Sequence, residues 1–484
     1  MNQNIMSFEP VLVWNFFLEI CKIPRPSGKT KALQNWLLAF AAEKGLESKQ
    51  DAIGNVLISK PATKGYENKP TVVLQSHMDM VAEKNADVVH DFEKDPIETY
   101  IDGEWLKARG TTLGADNGIG IAAQLAVLAS ENLAHGPVEC LFTVDEETGL
   151  DGAFGMEPGF FKATRLINLD SEDEGELFIG CAGGMNSKFA YNYQTEPAPA
   201  DFFYVKISLK GLTGGHSGDD IEKGRGNANH LLARFLWHEN AETDVRLIDF
   251  KGGNLSNAIP REASCIVGVP WTHKELIRVN LNCYLADLED EFGQIEPGLK
   301  LEMESTTAPV DVLSKTDSNR FISVMFACLN GVIAMSDKLP GLVETSLNLA
   351  SVKQGGEKEW IITTSQRSSV ETSKHALSER LEALFSLAGM PATHGEGYPG
   401  WNPNPDSVLV KEVAGAYKDL FGSEPKIKAI HAGLECGLFL QKCPGLDMVS
   451  FGPTMRGVHS PDERLHIPAV ANFWTLLVES LKRF

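Results

Sequence analysis

The stretch TVVLQSHMDM at residues 71–80 places a short apolar run shortly before a histidine and an aspartate. Residues 71–75 are rich in β-branched side chains, which favour a buried strand. In an extended chain, residues two apart face the same side, so His77 and Asp79 point together. An imidazole that binds a metal commonly donates its second N–H group to a carboxylate. The stretch therefore predicts a metal ligand, His77, oriented by Asp79. The alternative is a strand-end histidine beside a solvated aspartate.

Short apolar strands alternate with helices around this stretch. Helices are predicted over 14–21, 30–44 and 118–130, and strands over 55–59, 71–75, 138–144 and 165–169. This rhythm predicts a mostly parallel sheet covered by helices. In such sheets, functional groups collect just beyond the carboxyl ends of the strands.

Further polar clusters follow predicted strands or open a predicted helix. They are GADNG at 114–118, DEETG at 145–149, Asp170 after the strand 165–169, and GVHSPD at 457–462. Each cluster has an ordinary alternative, because Asp116 could cap a helix and the glutamates could lie in a solvated turn. The acids at 172–174 are predicted to lie in such a solvated loop. Adjacent carboxylates at a buried strand end are costly unless a cation neutralises them.

Together the clusters supply two imidazoles and three carboxylates. The candidate metal ligands are His77, Asp116, Glu147, Asp170 and His459. Mixed histidine and carboxylate ligation suits zinc, cobalt or manganese. Five ligands exceed the three or four that one catalytic zinc ion uses, so two divalent ions bridged by one carboxylate fit better. One of the adjacent glutamates could bind metal while its neighbour acts as a general base.

A long middle section interrupts this pattern. The 484 residues exceed the roughly 250–300 at which a single core stops growing, so more than one domain is expected. Residues 187–396 contain strand–helix–strand units, including a predicted helix over 319–335. The first pattern resumes after the Pro/Gly-rich passage 395–405. The predicted fold is α/β, with a mostly parallel-sheet dinuclear-metal catalytic domain, 1–186 and 397–484, interrupted by an inserted α+β lid domain, 187–396.

The net charge indicates which kinds of partner the protein can bind, and the cysteines indicate the cellular compartment in which it works. The formal net charge of −21 argues against nucleic acid or an anionic membrane surface as a partner. The eight cysteines are scattered without a CxxC pair, which is typical of reduced thiols. The N-terminal residues lack the pattern of a signal peptide, and no apolar run approaches the roughly 20 residues that span a bilayer. We therefore expect a cytoplasmic protein.

The motifs are similar to those of a known family. In order, SHMDMV (76–81), GADNG, DEETG, NLD (168–170) and GVHSPDE (457–463) resemble the dinuclear metallopeptidases that include carnosinases, aminoacylases and aminotripeptidases. The lid signatures GGHSG (214–218) and NAIP (257–260) are also present, so the resemblance covers nearly the whole chain. The long lid and the segments GYPGW (397–401) and AGLECG (432–437) favour the dipeptidases of this family over its tripeptidases.

The resemblance implies a role for each matching residue of the metal centre. His77 and Asp170 would bind one ion, Glu147 and His459 would bind the other, and Asp116 would bridge them. Glu146 would be the general base, and Asp79 would orient His77. As in relatives, the peptide bond after Asp116 is expected to be cis.

On the substrate side, the resemblance implies roles for lid residues. His216 would stabilise the tetrahedral oxyanion, while Asn257 and Arg367 would hold the substrate backbone and its terminal carboxylate. His394 and His431 are interpreted as structural.

The predicted activity is metal-dependent hydrolysis of dipeptides of the Xaa-His type, including carnosine-like substrates, through a metal-bound water activated by Glu146. Zinc is the expected metal, with cobalt and manganese as alternatives. An aminotripeptidase or an N-acyl amino acid deacylase of the same fold is the alternative enzyme. A binding module without metal is a further alternative, and the intact ligand set argues against it. The expected partner is a small dipeptide, without nucleic acid or membrane, and a homodimer remains open.

Overall fold

The computed structural model describes residues 5–484, and the stretch 71–80 contains the strand Val72–His77. The chain divides into two units. Unit 1 contains Met1–Cys181, Trp401–Ala429 and Leu434–Phe484, and unit 2 contains Ala182–Gly400 and Ile430–Gly433. The predicted domain limits, 186/187 and 396/397, lie a few residues from these limits. The assignment of catalytic and lid roles to the two parts stays a prediction.

The first part of unit 1 alternates helices and strands. Its helices are α1 (Val11–Cys21), α2 (Lys31–Glu43), α3 (Ala115–Ala129) and α4 (Asp151–Gly155). Its strands are β1 (Glu47–Gln50), β2 (Val56–Lys60), β3 (Val72–His77), β4 (Thr99–Asp102), β5 (Trp105–Ala108), β6 (Val138–Thr143), β7 (Arg165–Asn168) and β8 (Glu176–Cys181).

Unit 2 is richer in strands. They are β9 (Gly183–Asn192), β10 (Thr195–Pro197), β11 (Phe202–Lys210), β12 (Gly215–His216), β13 (Arg246–Gly252), β14 (Ala258–Ile259), β15 (Ala263–Pro270), β16 (Lys300–Ser305), β17 (Asp311–Leu313), β18 (Gly331–Met335), β19 (Val343–Gln354), β20 (Glu359–Ser368) and β21 (Ala392–His394). The helices are α5 (Ala228–Glu242), α6 (Lys274–Phe292), α7 (Lys315–Ala327) and α8 (Glu371–Leu387).

The remainder of the chain returns to the first pattern. It contains α9 (Val408–Phe421), β22 (Lys426–Ile430), α10 (Cys436–Lys442), β23 (Asp447–Ser450), β24 (Met455–Arg456), β25 (Arg464–His466) and α11 (Ile467–Arg483).

The main sheet of unit 1 has the order β1-β2-β6-β3-β7-β23-β8-β22. Its central strands β6, β3, β7 and β23 are parallel, and β1 and β2 extend one side in antiparallel fashion. Every residue of β3 and β6 is buried, as expected for strands covered on both faces. The carboxyl ends of the parallel strands meet at one edge of the sheet. The predicted α/β class is confirmed.

A small antiparallel sheet in unit 1, of order β24-β25-β5-β4, was not predicted. Its strands are two to four residues long, too short to show a clear alternation of apolar and polar residues. The loop between β24 and β25 carries His459, so this sheet helps to place a candidate ligand.

The large sheet of unit 2 is antiparallel, with the order β16-β11-β15-β13-β19-β20-β9-β21, and β18 also pairs with β19. The predicted helix 319–335 is wrong beyond Ala327. Gly331, with φ of +92°, turns the chain, and the following residues pair with β19 as a strand. Glycine adopts this left-handed backbone without the steric cost that other residues have.

Two further features bear on the earlier expectations. Among residues 5–484, no helix is long and apolar enough to cross a membrane. All eight cysteines lie within that range and are free thiols.

Candidate metal centre

The parallel strands of unit 1 deliver the predicted ligands to one edge of the sheet. His77 is the last residue of β3, and Asp170 comes two residues after β7 ends. Glu146 and Glu147 follow β6 in the same way. Because β3 pairs in parallel with both β6 and β7, their carboxyl ends bring these side chains together.

The other two ligand candidates lie in irregular backbone. Asp116 stands in the first turn of α3, where its own φ and ψ are not helical, and it does not cap that helix. The Asp116–Asn117 peptide bond is cis, which confirms the expectation. His459 has a φ of +62°, a left-handed conformation that is uncommon for residues other than glycine. Such conformations cluster at functional sites.

The carboxylate of Asp116 lies between two histidines. Nε2 of His77 lies 3.0 Å from Oδ1 of Asp116, and Nε2 of His459 lies 3.2 Å from Oδ2. Nε2 of His77 is also 3.4 Å from Asp170, and Nε2 of His459 is 3.0 Å from Glu147. The two oxygens of one carboxylate thus serve two separate His/carboxylate pairs, which is the arrangement of a bridging ligand.

Groups of ligand atoms at this edge are spaced closely enough to hold metal ions. Within residues 5–484 the groups are His77/Asp116/Asp170, His77/Glu146/Glu147 and Asp116/Glu147/His459, each with its atoms within 4.8 Å of one another. The first and third groups share Asp116. The second group shows that the spacing alone also allows Glu146 as a ligand.

The electrostatics of these groups favour a bound cation. Burial lowers the pKa of His77, but the charge of Asp170 and hydrogen bonds to nearby carboxylates outweigh it and raise that pKa well above its usual range. Hydrogen bonds to Asp116 and Glu147 raise the pKa of His459 to about 11. Oε1 of Glu147 is buried without a hydrogen-bond partner. The donor set of imidazoles and crowded carboxylates therefore fits divalent metal ions.

Asp79 lies beneath this ligand set and is fully buried. Its Oδ1 lies 3.3 Å from Nδ1 of His77 and accepts the backbone N–H group of Glu146 at 3.0 Å. Its Oδ2 accepts from the Glu147 backbone at 3.3 Å and from the Ser27 hydroxyl at 2.7 Å. Although burial opposes ionisation, these partners lower the pKa of Asp79 to about 2. One ionised carboxylate thus connects the His77 loop to the Glu146–Glu147 turn.

The expectation that residues 172–174 form a solvated loop is wrong for Glu172. Its side chain is partly buried, and burial together with the charges of Asp116 and Asp170 raises its pKa to about 8. A run of acids in sequence does not reveal that one member turns inward.

Unit 2 brings together the predicted substrate-side residues. His216 in β12 pairs with Ala258 in β14, beside Asn257. The Asn257 carbonyl accepts the backbone N–H group of Ser217 at 2.8 Å. The Asn348 side chain donates to the carbonyls on both sides of Asn257, at 3.2 and 2.8 Å. The GGHSG and NAIP segments therefore form a short antiparallel strand pair, which the Asn348 side chain supports.

Arg367 lies beside this strand pair and is only 6% exposed. Its Nη2 lies 3.4 Å from Nε2 of His216, and its Nη1 donates to the Tyr398 hydroxyl at 2.9 Å. The Nε atom is buried without a hydrogen-bond partner. Among the described residues, no carboxylate forms an ion pair with this guanidinium. A buried arginine of this kind is suited to bind an anionic ligand group.

Two side chains near the candidate groups, Tyr398 and Glu435, were not predicted from the sequence. Tyr398, in the GYPGW segment, contacts Arg367 as described above. Glu435, in the AGLECG segment, is buried and accepts hydrogen bonds from Gln75 at 2.5 Å and Thr143 at 2.8 Å. Both residues lie in segments that carry the family resemblance, GYPGW and AGLECG, and this position was the one sign in the sequence that they could matter.

Comparison with known proteins decides the family. The model of Peptidase family M20/M25/M40 matches residues 73–483, which include the whole candidate metal centre. The chain belongs to this peptidase family. This M20 peptidase is 47% identical over 478 residues to the cytosol non-specific dipeptidase of Escherichia coli (strain K12), covering 99% of this chain and 98% of the relative.

Solved structures agree with the assignment. The M20 peptidase is similar to the crystal structure of aminoacylhistidine dipeptidase from Vibrio alginolyticus, with a TM-score of 0.94 and 45% identity, covering 100% of this chain and 98% of the other. A tripeptidase from Staphylococcus aureus matches with a TM-score of 0.55 and 17% identity, over 98% of each chain. The second likeness shows the fold alone.

Proposed function

We propose that this M20 peptidase is a dipeptidase that works with two divalent metal ions. The observation that carries the proposal is the carboxylate of Asp116, whose two oxygens face His77 and His459 at 3.0 and 3.2 Å. We assign His77 and Asp170 to one ion, Glu147 and His459 to the other, and Asp116 to both. Zinc is the first candidate, and cobalt and manganese suit the same donor set.

The metal ions, when bound, would supply Lewis acidity, which polarises a carbonyl and lowers the pKa of a water toward neutrality. The protein supplies the proton transfers. We assign Glu146 as the base that takes a proton from the attacking water and delivers it to the leaving amine. Burial raises the pKa of Glu146 well above its usual range, which makes it a stronger base. Asp79 holds the backbone of Glu146 and the ring of His77.

We assign three residues of unit 2, His216, Arg367 and Asn257, to substrate binding. In this structure Nε2 of His216 faces Nη2 of Arg367 at 3.4 Å, and because a guanidinium only donates, Nε2 is the acceptor in that contact. We assign Nε2 as the donor to the oxyanion once a bound substrate replaces that contact. An N–H donor of this kind stabilises an oxyanion. Arg367 would bind the terminal carboxylate, since its planar fork matches a carboxylate with two hydrogen bonds. Asn257 would hold the substrate backbone.

For the substrate, we infer dipeptides, with Xaa-His and carnosine-like dipeptides among them. The names of the Escherichia coli and Vibrio alginolyticus relatives support dipeptides over longer peptides. An aminotripeptidase or N-acyl amino acid deacylase activity is the alternative. We further propose a cytoplasmic location, which the name of the Escherichia coli relative supports.

The test is hydrolysis of a defined substrate panel by protein stripped with a chelator and reloaded with zinc, cobalt or manganese. The panel contains Xaa-His dipeptides, carnosine, other dipeptides, tripeptides and N-acetylated amino acids. We expect activity only after reloading, two ions per chain by mass spectrometry, and a preference for dipeptides with a free amino group. Equal rates on tripeptides or N-acetylated amino acids would assign the alternative, and full activity of the stripped protein would remove the metal from the mechanism.

A further inference from the structure

A loop near the N-terminus contacts the segments that carry three of the proposed metal-centre groups. Arg25 is only 2% exposed. Its Nη1 donates to the backbone carbonyls of Met78 and Asp79, at 3.0 and 2.9 Å, just after His77. Its Nη2 donates to the carbonyl of Gly114, just before Asp116. One guanidinium therefore connects the backbone beside two proposed ligands.

Two glycines of the GADNG motif make room for this guanidinium. A Cβ atom at Gly114 would lie 2.6 Å from Nη2 of Arg25, and one at Gly118 would lie 2.7 Å from it. Gly114 also has a φ of +66°, which favours glycine. Arg25 and the motif that carries Asp116 thus fit each other sterically.

Glu463 holds the same segment from its N–H side. Its carboxylate accepts the backbone N–H groups of Leu113, Gly114 and Ala115 at 2.7, 2.9 and 2.7 Å, and that of Asp116 at 3.3 Å. Arg25 donates to a backbone carbonyl of this segment, and Glu463 accepts hydrogen bonds from its N–H groups. The backbone leading to Asp116 is therefore fixed by two buried side chains of opposite charge.

The rest of the loop reaches the third segment. The hydroxyl of Ser27 donates to Asp79 at 2.7 Å, and the backbone N–H group of Gly28 donates to the side chain of Asp145 at 2.7 Å. Asp145 directly precedes Glu146. Residues 25–28 thus contact the backbone or side chains next to His77, Asp116 and Glu146.

The charge of Arg25 argues against a purely structural role. The acceptors of its hydrogen bonds are neutral carbonyls, and within residues 5–484 no carboxylate forms an ion pair with it. Burial of a charge without an ion pair is costly. A neutral side chain would fill space at less cost, but it could not reach carbonyls of two segments in one plane as the guanidinium fork does.

We propose that Arg25, together with Glu463, is a positioning residue that sets the separation of His77 and Asp116 for metal binding. This inference rests on the proposed function, since it assigns these residues to the same metal centre. Residues that orient metal ligands commonly change metal affinity or activity by about 10–100-fold when replaced.

The test compares Arg25→Lys and Glu463→Gln with a matched control. Arg25→Lys keeps the charge and loses the fork, and Glu463→Gln keeps the shape and loses acceptor capacity. The control is Glu139→Gln, because Glu139 is also buried and accepts two backbone N–H groups, those of Lys162 and Ala163 at 2.9 and 3.0 Å, away from the ligands. The measurements are the dissociation constant for zinc by chelator competition, kcat and KM at saturating zinc, and the urea midpoint of the metal-free protein.

We expect zinc affinity to fall about 10–100-fold in both variants, with kcat reduced and KM little changed. In Glu139→Gln only the urea midpoint should fall. Wild-type zinc affinity in a folded Arg25→Lys protein overturns the proposal. If that variant does not fold, Glu463→Gln decides in the same way. A wild-type protein that binds zinc but hydrolyses no dipeptide would contradict the proposed function, while the zinc affinities of the variants would still test this inference.

Discussion

The backbone N–H group of Glu146 donates to Oδ1 of Asp79 at 3.0 Å, and the same oxygen lies 3.3 Å from Nδ1 of His77. The proposed base and a proposed ligand are therefore held by one carboxylate atom. Motion of either is restrained by the other, because both contacts end on the same buried side chain.

Asp79→Asn should lower kcat/KM for a dipeptide by about 10–100-fold, because the amide replaces one acceptor oxygen with a donor. The measurement is steady-state kinetics across a zinc titration. Asp447→Asn is the control, since Asp447 accepts from the Ser407 hydroxyl and the Leu409 backbone at the start of β23. If both variants lose activity equally, the effect is on folding and not on the metal centre.

Glu146→Ala should keep its metals and lose turnover by about 10²–10⁴-fold, because a general base contributes on that scale. Mass spectrometry of the metal content and single-turnover kinetics on a dipeptide check this. Glu147→Ala is the companion variant and should lose metal. Loss of metal from Glu146→Ala would make Glu146 a ligand, which its spacing from His77 and Glu147 also allows.

His216→Ala should lower kcat by about 10²–10³-fold and change KM little, because an oxyanion donor acts mainly in the transition state. The comparison variant is His375→Ala, an exposed histidine of α8 that pairs with Glu371 at 3.1 Å. Wild-type kcat in His216→Ala would remove the proposed role of its Nε2 atom.

Arg367→Ala should raise KM at least as much as it lowers kcat, because a carboxylate clamp also holds the ground state. It should also weaken discrimination against dipeptides that are amidated at the C-terminus. The measurement is kcat/KM for matched free-acid and amide substrates. If the ratio of kcat/KM between the free-acid and amide substrates is unchanged, Arg367 does not bind the terminal carboxylate.

His431 should give unit 2 a pH-dependent stability. Burial and the nearby charge of Arg367 lower its pKa from 6.5 to about 4. Since the folded-state pKa is the lower one, protonation favours the unfolded chain. The contribution is full above about pH 6.5 and is lost as the pH falls toward 4, by roughly 2 kcal/mol at about pH 5.

His431→Gln should remove that part of the pH dependence, because glutamine does not titrate but can still contact Ser346, whose Oγ lies 2.7 Å from the ring. Urea unfolding of wild type and variant at about pH 7.5 and pH 5 gives the comparison. Any loss of metal at low pH would affect both proteins alike, so the difference between them isolates the histidine. Parallel pH profiles would contradict the prediction.

The local pattern of the sequence determined the strand–ligand motifs of this protein. Residues 71–74 are mostly apolar and β-branched, and His77 follows three residues later, so the sequence predicted both the strand and the polar residue at its end. Helix α7 shows the limit, because its apolar spacing continues into β18 and only the turn at Gly331 separates the two elements. Spacing alone does not report a positive φ.

Only the tertiary structure decided which side chains meet. Arg25 and Glu463 are 438 positions apart in the chain, yet both hold the backbone before Asp116. Their partners are backbone carbonyl and N–H groups, which nearly all residues have, so no pattern of side chains in the sequence predicts the contact. The end of a strand can be predicted locally, because the apolar residues of the strand and the polar residue after it are close together in the sequence. A contact between distant segments depends on the path of the folded chain, and packing alone fixes that path.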